Sequence, residues 1–328
     1  MYCQHCGVKL PDGAGECDIC GQAVAKRGWG TAVAVIVFAF IILMGGIVWS
    51  QPNPAGANAA PVTIASEEIA ALQAQVNPVE GYQLPAVPGD LGPQLLAAGA
   101  IDYDRFVQLY ERSGRPLNEA QLTILTEGSN EPLVINQENA HFLLNLFWVA
   151  GLANQNPILT DGAMVQYGAG DVGRFASTGG WTIGQRPATE LYASQPLIPL
   201  TPEQQVLVES VAANVYRPCC NNPTSFPDCN HGMAMLGLLE LMASQGATED
   251  ELYEAAKYIN AFWFPQQALE TAVFFQATQD LGYTAVDGRM AVGSEVFSAT
   301  GFQKTHQWLV AGGQLPQAPE GGNSCGVS

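Results

Sequence analysis

Four cysteines in two Cys-x-x-Cys hooks, Cys3 with Cys6 and Cys17 with Cys20, open the chain, and no charged residue occurs from Gly28 to Ile64. Two such hooks can close a tetrahedral thiolate site around zinc, and a segment this short has too little apolar surface to hold a fold without one. Gly7 and Gly21 follow the second cysteine of each hook and let backbone N–H groups approach the sulfurs. The competing reading is a secreted mini-domain with two disulfides. It is disfavoured by the absence of a signal peptide ahead of the hooks and by the segment that follows them.

That segment runs from Trp29 to Trp49. At 1.5 Å per residue it reaches roughly 31 Å, the thickness of a bilayer core, so the expectation is a transmembrane helix. Lys26 and Arg27 precede it, while the next basic residue beyond it is Arg105. The positive-inside bias then predicts a single-pass membrane protein with a cytoplasmic N-terminus and an extracytoplasmic C-terminal domain. A signal peptide is the alternative, but its apolar core would be shorter and would not follow a folded metal site.

Charge divides the chain in the same place. Lys9, Lys26 and Arg27 balance Asp12, Glu16 and Asp18, so the formal charge of −18 falls wholly on the later residues. Such an acidic domain has no basic stripe to track a phosphate backbone, which excludes nucleic acid as its partner. The expected organisation is a cytoplasmic zinc ribbon over 1–25, a transmembrane helix over 28–50 and a Pro/Ala/Gly linker over 51–62. A mainly helical extracytoplasmic domain over 63–311 and a flexible tail over 312–328 complete it. The expected fold class is therefore mainly α, with an irregular Gly-rich segment, a small N-terminal β ribbon and one transmembrane helix. The membrane is the expected partner, alongside a protein partner.

Within the large domain, Ser66 before Glu67 and Glu68 predicts a helix to Val76, and Asp102 one to Arg112. Asn118 with Gln121 reads as a capping box for a helix ending near Glu127. Asn136 is expected to start a helix that is apolar around most of its circumference, hence central and buried. The seven glycines between Asn156 and Gly184 predict irregular structure with short strands around Met164 and Trp181. Helices are expected over Pro202–Val215, Asn230–Ser244, Thr248–Phe262 and Pro265–Gln279.

The chemically loaded segment is 216–235, with Cys219, Cys220, Cys229 and His231. Its thiols and imidazole are donors that zinc or copper(I) accept, so these four residues are a candidate second metal site. Met233 and Met235 read as core residues of an apolar helix. A disulfide is the alternative for the cysteines, and with Cys325 two bridges in three connectivities are arithmetically open. Adjacent cysteines pair only with strain, which steers expectation to Cys229 as the partner of Cys219 or Cys220. At the start of a predicted helix, Cys229 is also placed for a stabilised thiolate.

Cysteines, a short polar turn, an apolar helix, and then Ser244-Gln-Gly-Ala-Thr-Glu-Asp-Glu-Leu and a helix ending Tyr258-Ile-Asn-Ala-Phe-Trp-Phe264 resemble the three-helix domain of the cytochrome c maturation thiol oxidoreductases. The resemblance covers about 45 residues and implies a membrane-anchored, extracytoplasmic thiol-handling domain. This chain departs from that family because no Cys-x-x-Cys occurs beyond the ribbon, so the dithiol mechanism does not transfer residue by residue. Cys3, Cys6, Cys17 and Cys20 around Pro11-Asp-Gly-Ala14 separately resemble the short zinc ribbons of bacterial membrane proteins.

Other patterns are weaker. Ser177 and Thr178 lie in a glycine-rich turn without a nucleophile elbow and read as a loop around a packed tryptophan. His141 reads as a buried, hydrogen-bonded residue. No phosphate loop, H-E-x-x-H pair or dinucleotide fingerprint is present. The function expected is soft-metal binding or thiol handling at the second cluster. The alternative is a non-enzymatic envelope interaction protein whose outer cysteines form structural disulfides.

Overall fold

Side-chain caps start many of the helices. Helix α1 is Ser66–Val76, α2 Leu91–Ala97, α3 Tyr103–Arg112 and α4 Glu119–Thr126. Asp102 caps α3 by accepting from the Arg105 N–H, and Asn118 and Gln121 form the reciprocal capping box of α4. Helix α5 is Ala140–Ala153. Asn136 does not start it: its carboxamide closes a turn by accepting from Glu138 and Asn139 instead. The computed structural model describes residues 65–315, and among these the protein is mainly helical, with one two-residue pair of antiparallel strands, Tyr82–Gln83 (β1) and Val134–Ile135 (β2).

The glycine-rich stretch contains helices rather than the expected strands. Short helices α6 (Pro157–Thr160), α7 (Ala163–Gly168) and α8 (Ala176–Gly179) fill it, with Met164 inside α7. Helices α9 (Ala188–Leu191) and α10 (Pro202–Ala212) follow, and the latter ends before the expected Val215. The remaining helices are α11 (Asn230–Ser244), α12 (Glu249–Trp263), α13 (Pro265–Gln279), α14 (Gly288–Ala291), α15 (Ser294–Phe297) and α16 (Ala299–Ala311).

The expected transmembrane helix, and with it the single-pass, extracytoplasmic placement, needs correction. No helix among the described residues is long and apolar enough to cross a membrane. The longest, α11, α12 and α13, have 15 residues each. That is roughly 22 Å, short of the roughly 30 Å a bilayer core requires. The segment 28–50, the ribbon cysteines Cys3, Cys6, Cys17 and Cys20, the linker 51–62 and Cys325 all lie outside the described residues. The chain also stays packed beyond Gly312, where the tail was expected to begin. Gln314 is buried and Leu315 packs against a small apolar cluster.

The main core is built on the crossing of α5 and α11, both buried on nearly every side. Gly151 and Gly237 meet at that crossing. A Cβ on Gly151 would overlap the Met233 carbonyl, and one on Gly237 would overlap that of Phe147, so the two backbones touch only because both side chains are missing. Met233 and Met235 are core residues of this layer. A second cluster joins α1, α13 and α16 through Leu72, Val76, Ala272 and Leu309.

Candidate metal and thiol centre

The loop from Ala213 to Asp228 connects α10 to α11 and is tied down from several sides. Tyr216 N–H donates to Val292 O at 2.8 Å, and the Asn260 carboxamide of α12 donates to Tyr216 O at 3.1 Å. Ala299 N–H, at the start of α16, donates to Cys220 O at 2.8 Å. Ser177 N–H of α8 donates to Asp228 O at 3.1 Å. These bonds replace regular structure in a loop too rich in proline and asparagine to be helical.

Its centre is the buried guanidinium of Arg217. Nε donates to Cys229 Sγ at 3.0 Å, Nη1 to Asn222 O at 3.0 Å, and Nη2 to Phe226 O at 3.1 Å and Asp228 Oδ1 at 2.7 Å. Asp228 Oδ2 accepts from the Asn222 carboxamide at 2.8 Å. Arg217 is only 1 % exposed, so this full set of acceptors is what makes its burial tolerable. The loop winds around one cation, and Gly232 completes the seat: a Cβ there would fall on the guanidinium carbon.

Cys229 is the N-cap of α11, and its sulfur accepts from Gly232 N–H at 3.4 Å. Cys219 Sγ lies 3.8 Å from Cys229 Sγ, a contact and not a bond, and Cys219, Cys220 and Cys229 are all free thiols. Contacts from the Cys219 and Cys220 thiols, and then the charge and N–H of Arg217, hold the Cys229 thiol well below its usual range against the opposing effect of burial. Cys219 is pushed up by its thiol contacts with Cys220 and Cys229. The cluster therefore ionises first at Cys229, with Cys219 as a thiol donating to it.

His231, in the first turn of α11, packs its ring on Phe264 at 4.5 Å and against Trp263 at 5.7 Å. Burial lowers its pKa to about 4, so the imidazole is neutral. Neither ring nitrogen has a hydrogen-bond partner among the described residues. One nitrogen of His231 and the sulfurs of Cys219 and Cys229 lie within 4.8 Å of one another, and this group could hold a metal ion.

Cys220 belongs to a different triad, with Asp228 and Cys229. Its sulfur is 3.8 Å from Asn222 O and 4.0 Å from Asp228 Oδ1. That carboxylate already accepts on both oxygens, so the second triad offers a poorer set of free donors. The four sequence-selected residues are thus brought together, but in two overlapping groups that share Cys229. Arg217, Asp228 and Asn222 were not singled out from the sequence. The one signal for them was an arginine beside Pro-Cys-Cys in a chain with only 12 lysines and arginines.

Ser177 and Thr178 are buried on α8, and neither hydroxyl has a hydrogen-bond partner among the described residues. His141 is half-buried against Tyr110, and its ring is likewise without a hydrogen-bond partner among the described residues, unlike the expected buried and bonded histidine. No protein-family model, curated protein or solved structure matches the chain.

Proposed function

We propose that the protein binds a soft metal ion at Cys219, Cys229 and His231, with copper(I) as the ion best suited to the site. The observation that carries the reading is the convergence of two free sulfurs and one neutral, otherwise unpartnered imidazole within 4.8 Å. Three donors, a pair of sulfurs and a single nitrogen, match the low coordination number that copper(I) accepts, whereas zinc would need a fourth donor such as Cys220 or water. The Cys219 and Cys220 thiols, and then Arg217, favour the deprotonated form of Cys229 that a ligand must adopt. For the N-terminal ribbon, zinc at Cys3, Cys6, Cys17 and Cys20 rests on their spacing alone.

The test is a titration of the reduced full chain with copper(I) and with zinc(II) separately, followed by Cys229→Ser and His231→Ala. One copper per cluster, lost in both variants and not displaced by zinc, is the expected result. No copper bound at micromolar concentration, or binding unchanged in both variants, overturns the reading.

A second reading, thiol exchange, is favoured by the 3.8 Å approach of Cys219 to the Cys229 thiolate. With a small movement of Cys219, the exposed partner, the pair is near enough to close to a disulfide by exchange with a partner disulfide, which would take up the two electrons and leave as a dithiol. The structural-staple alternative needs that bond to be formed at rest, which thiol counts before and after reduction would show.

A further inference from the structure

Away from the cysteine centre, a cavity of about 590 Å³ lies beside α5. Its walls include Leu109 of α3, Arg115 and Trp181 from loops, and His141, Asn145 and Trp148 of α5. Those three α5 residues recur at i, i+4 and i+7, one stripe of a helix whose other faces are buried in the core. The volume falls in the range of small-molecule sites, and apolar walls with a few convergent polar groups are the usual lining of such sites.

The polar groups of the lining are unequally used. Trp148 Nε1 donates to Ser177 O at 2.6 Å and Trp181 Nε1 to Ala100 O at 2.8 Å, so the two indoles offer the cavity only their carbon surfaces. They stand edge to face, 5.2 Å apart at 73°. The Asn145 amide nitrogen donates to Tyr110 Oη at 2.8 Å, and Tyr110 Oη donates to His141 O at 3.3 Å. Asn145 Oδ1 is left as an acceptor with no partner among the described residues.

Arg115 has no carboxylate partner among the described residues; Arg105, Arg112 and Arg174 have none either, but of these four only Arg115 lines this cavity. In a chain of net charge −18, an unpaired guanidinium at an aromatic cavity is a local attractor for an anion. His141, whose pKa is lowered by burial and then by the Arg115 charge, adds a neutral ring and not a competing cation.

We propose that this cavity binds a small planar aromatic carboxylate carrying a ring N–H or O–H. The ring packs on Trp148 and Trp181, the carboxylate meets Arg115, and the ring donor meets Asn145 Oδ1. The cavity shares no lining residue with the cysteine cluster.

Calorimetric titration of the full chain with indole-3-acetate, neutral indole and acetate tests it, using Arg115→Gln and Leu109→Trp. Both substituted side chains are exposed, so the fold should survive, which circular dichroism checks. Indole-3-acetate should bind saturably, weaken about tenfold in Arg115→Gln, and bind little in Leu109→Trp, where the new ring occupies the cavity. Neutral indole should bind more weakly and ignore Arg115→Gln, and acetate should not bind. The proposal is overturned by absence of saturable indole-3-acetate binding, by binding indifferent to Arg115→Gln, or by binding that persists in Leu109→Trp.

Discussion

Arg217 Nε donates to Cys229 Sγ at 3.0 Å while the Gly232 N–H approaches the same sulfur from the helix at 3.4 Å. A buried cation and a helix N-terminus thus act on one thiol, and both favour its ionised form. The pairing also works in reverse. Burial alone would lower the pKa of the guanidinium, but the sulfurs around it, Cys229 foremost, raise it.

Gly232→Ala is the least invasive way to break that relationship, because the added methyl would overlap the guanidinium without removing any donor or acceptor. The pKa of Cys229, well below 9.0 in the wild type, should rise in the variant. The direction follows because a thiolate loses stabilisation when an adjacent cation is displaced. The pH dependence of Cys229 alkylation, followed by mass spectrometry, measures it. An unchanged profile would mean that the arginine does not control the sulfur.

Cys220 and Cys229 should differ as metal ligands although both lie in the cluster. Cys220 is grouped with Asp228, whose oxygens are occupied by Arg217 and Asn222, whereas Cys229 is shared by both donor sets. Cys220→Ser should therefore keep copper stoichiometry and weaken affinity less than about tenfold, while Cys229→Ser should remove binding. Equal loss in the two variants would point to a four-donor site and to zinc.

Several helix starts capped by a side chain were legible, as at Asp102, Asn118 and Thr248. A cap was neither required nor sufficient: α13 has none and was anticipated. Neither α2, which has no side-chain cap, nor α16, whose cap Ser298 follows a run of short turns, was anticipated. Glycine content misled over 156–184, because several of those glycines allow close helix packing: a Cβ on Gly179 would overlap the Gly173 carbonyl. The cysteine cluster was legible as chemistry because its residues are close in sequence. Its division into two triads was not, since that depends on where the Arg217 guanidinium sits, and no spacing rule encodes the path of an irregular loop.

The α5–α11 crossing makes a separate, purely structural demand. Gly237→Ala would put a methyl against the Phe147 carbonyl and the Gly151 backbone. Because these are backbone atoms of two buried helices, relief requires moving the helices apart. Urea unfolding should show a loss of about 2 to 3 kcal/mol with little change in the slope. A loss below about 0.5 kcal/mol, the level of a surface substitution, would show that the crossing is looser than its geometry.

Glu240 lies in α11 three residues beyond Gly237, fully buried, with Asn154 Nδ2 donating to Oε2 at 3.1 Å and no partner for Oε1 among the described residues. Burial raises its pKa from 4.5 to about 8. The folded state thus holds a proton that the unfolded chain releases at lower pH. The associated stability is fully present below about pH 4.5 and is lost as pH rises through 8. The full loss is on the order of 5 kcal/mol. His231, lowered from 6.5 to about 4, has the opposite slope in the lower part of that window, so the difference between wild type and Glu240→Gln isolates the carboxyl. Denaturant midpoints measured from pH 5 to pH 8 should fall more steeply for the wild type than for Glu240→Gln, with the variant gaining relative stability toward pH 8. Parallel profiles for the two proteins would mean that Glu240 ionises in the folded state as readily as in the unfolded chain, and that its burial is relieved in solution.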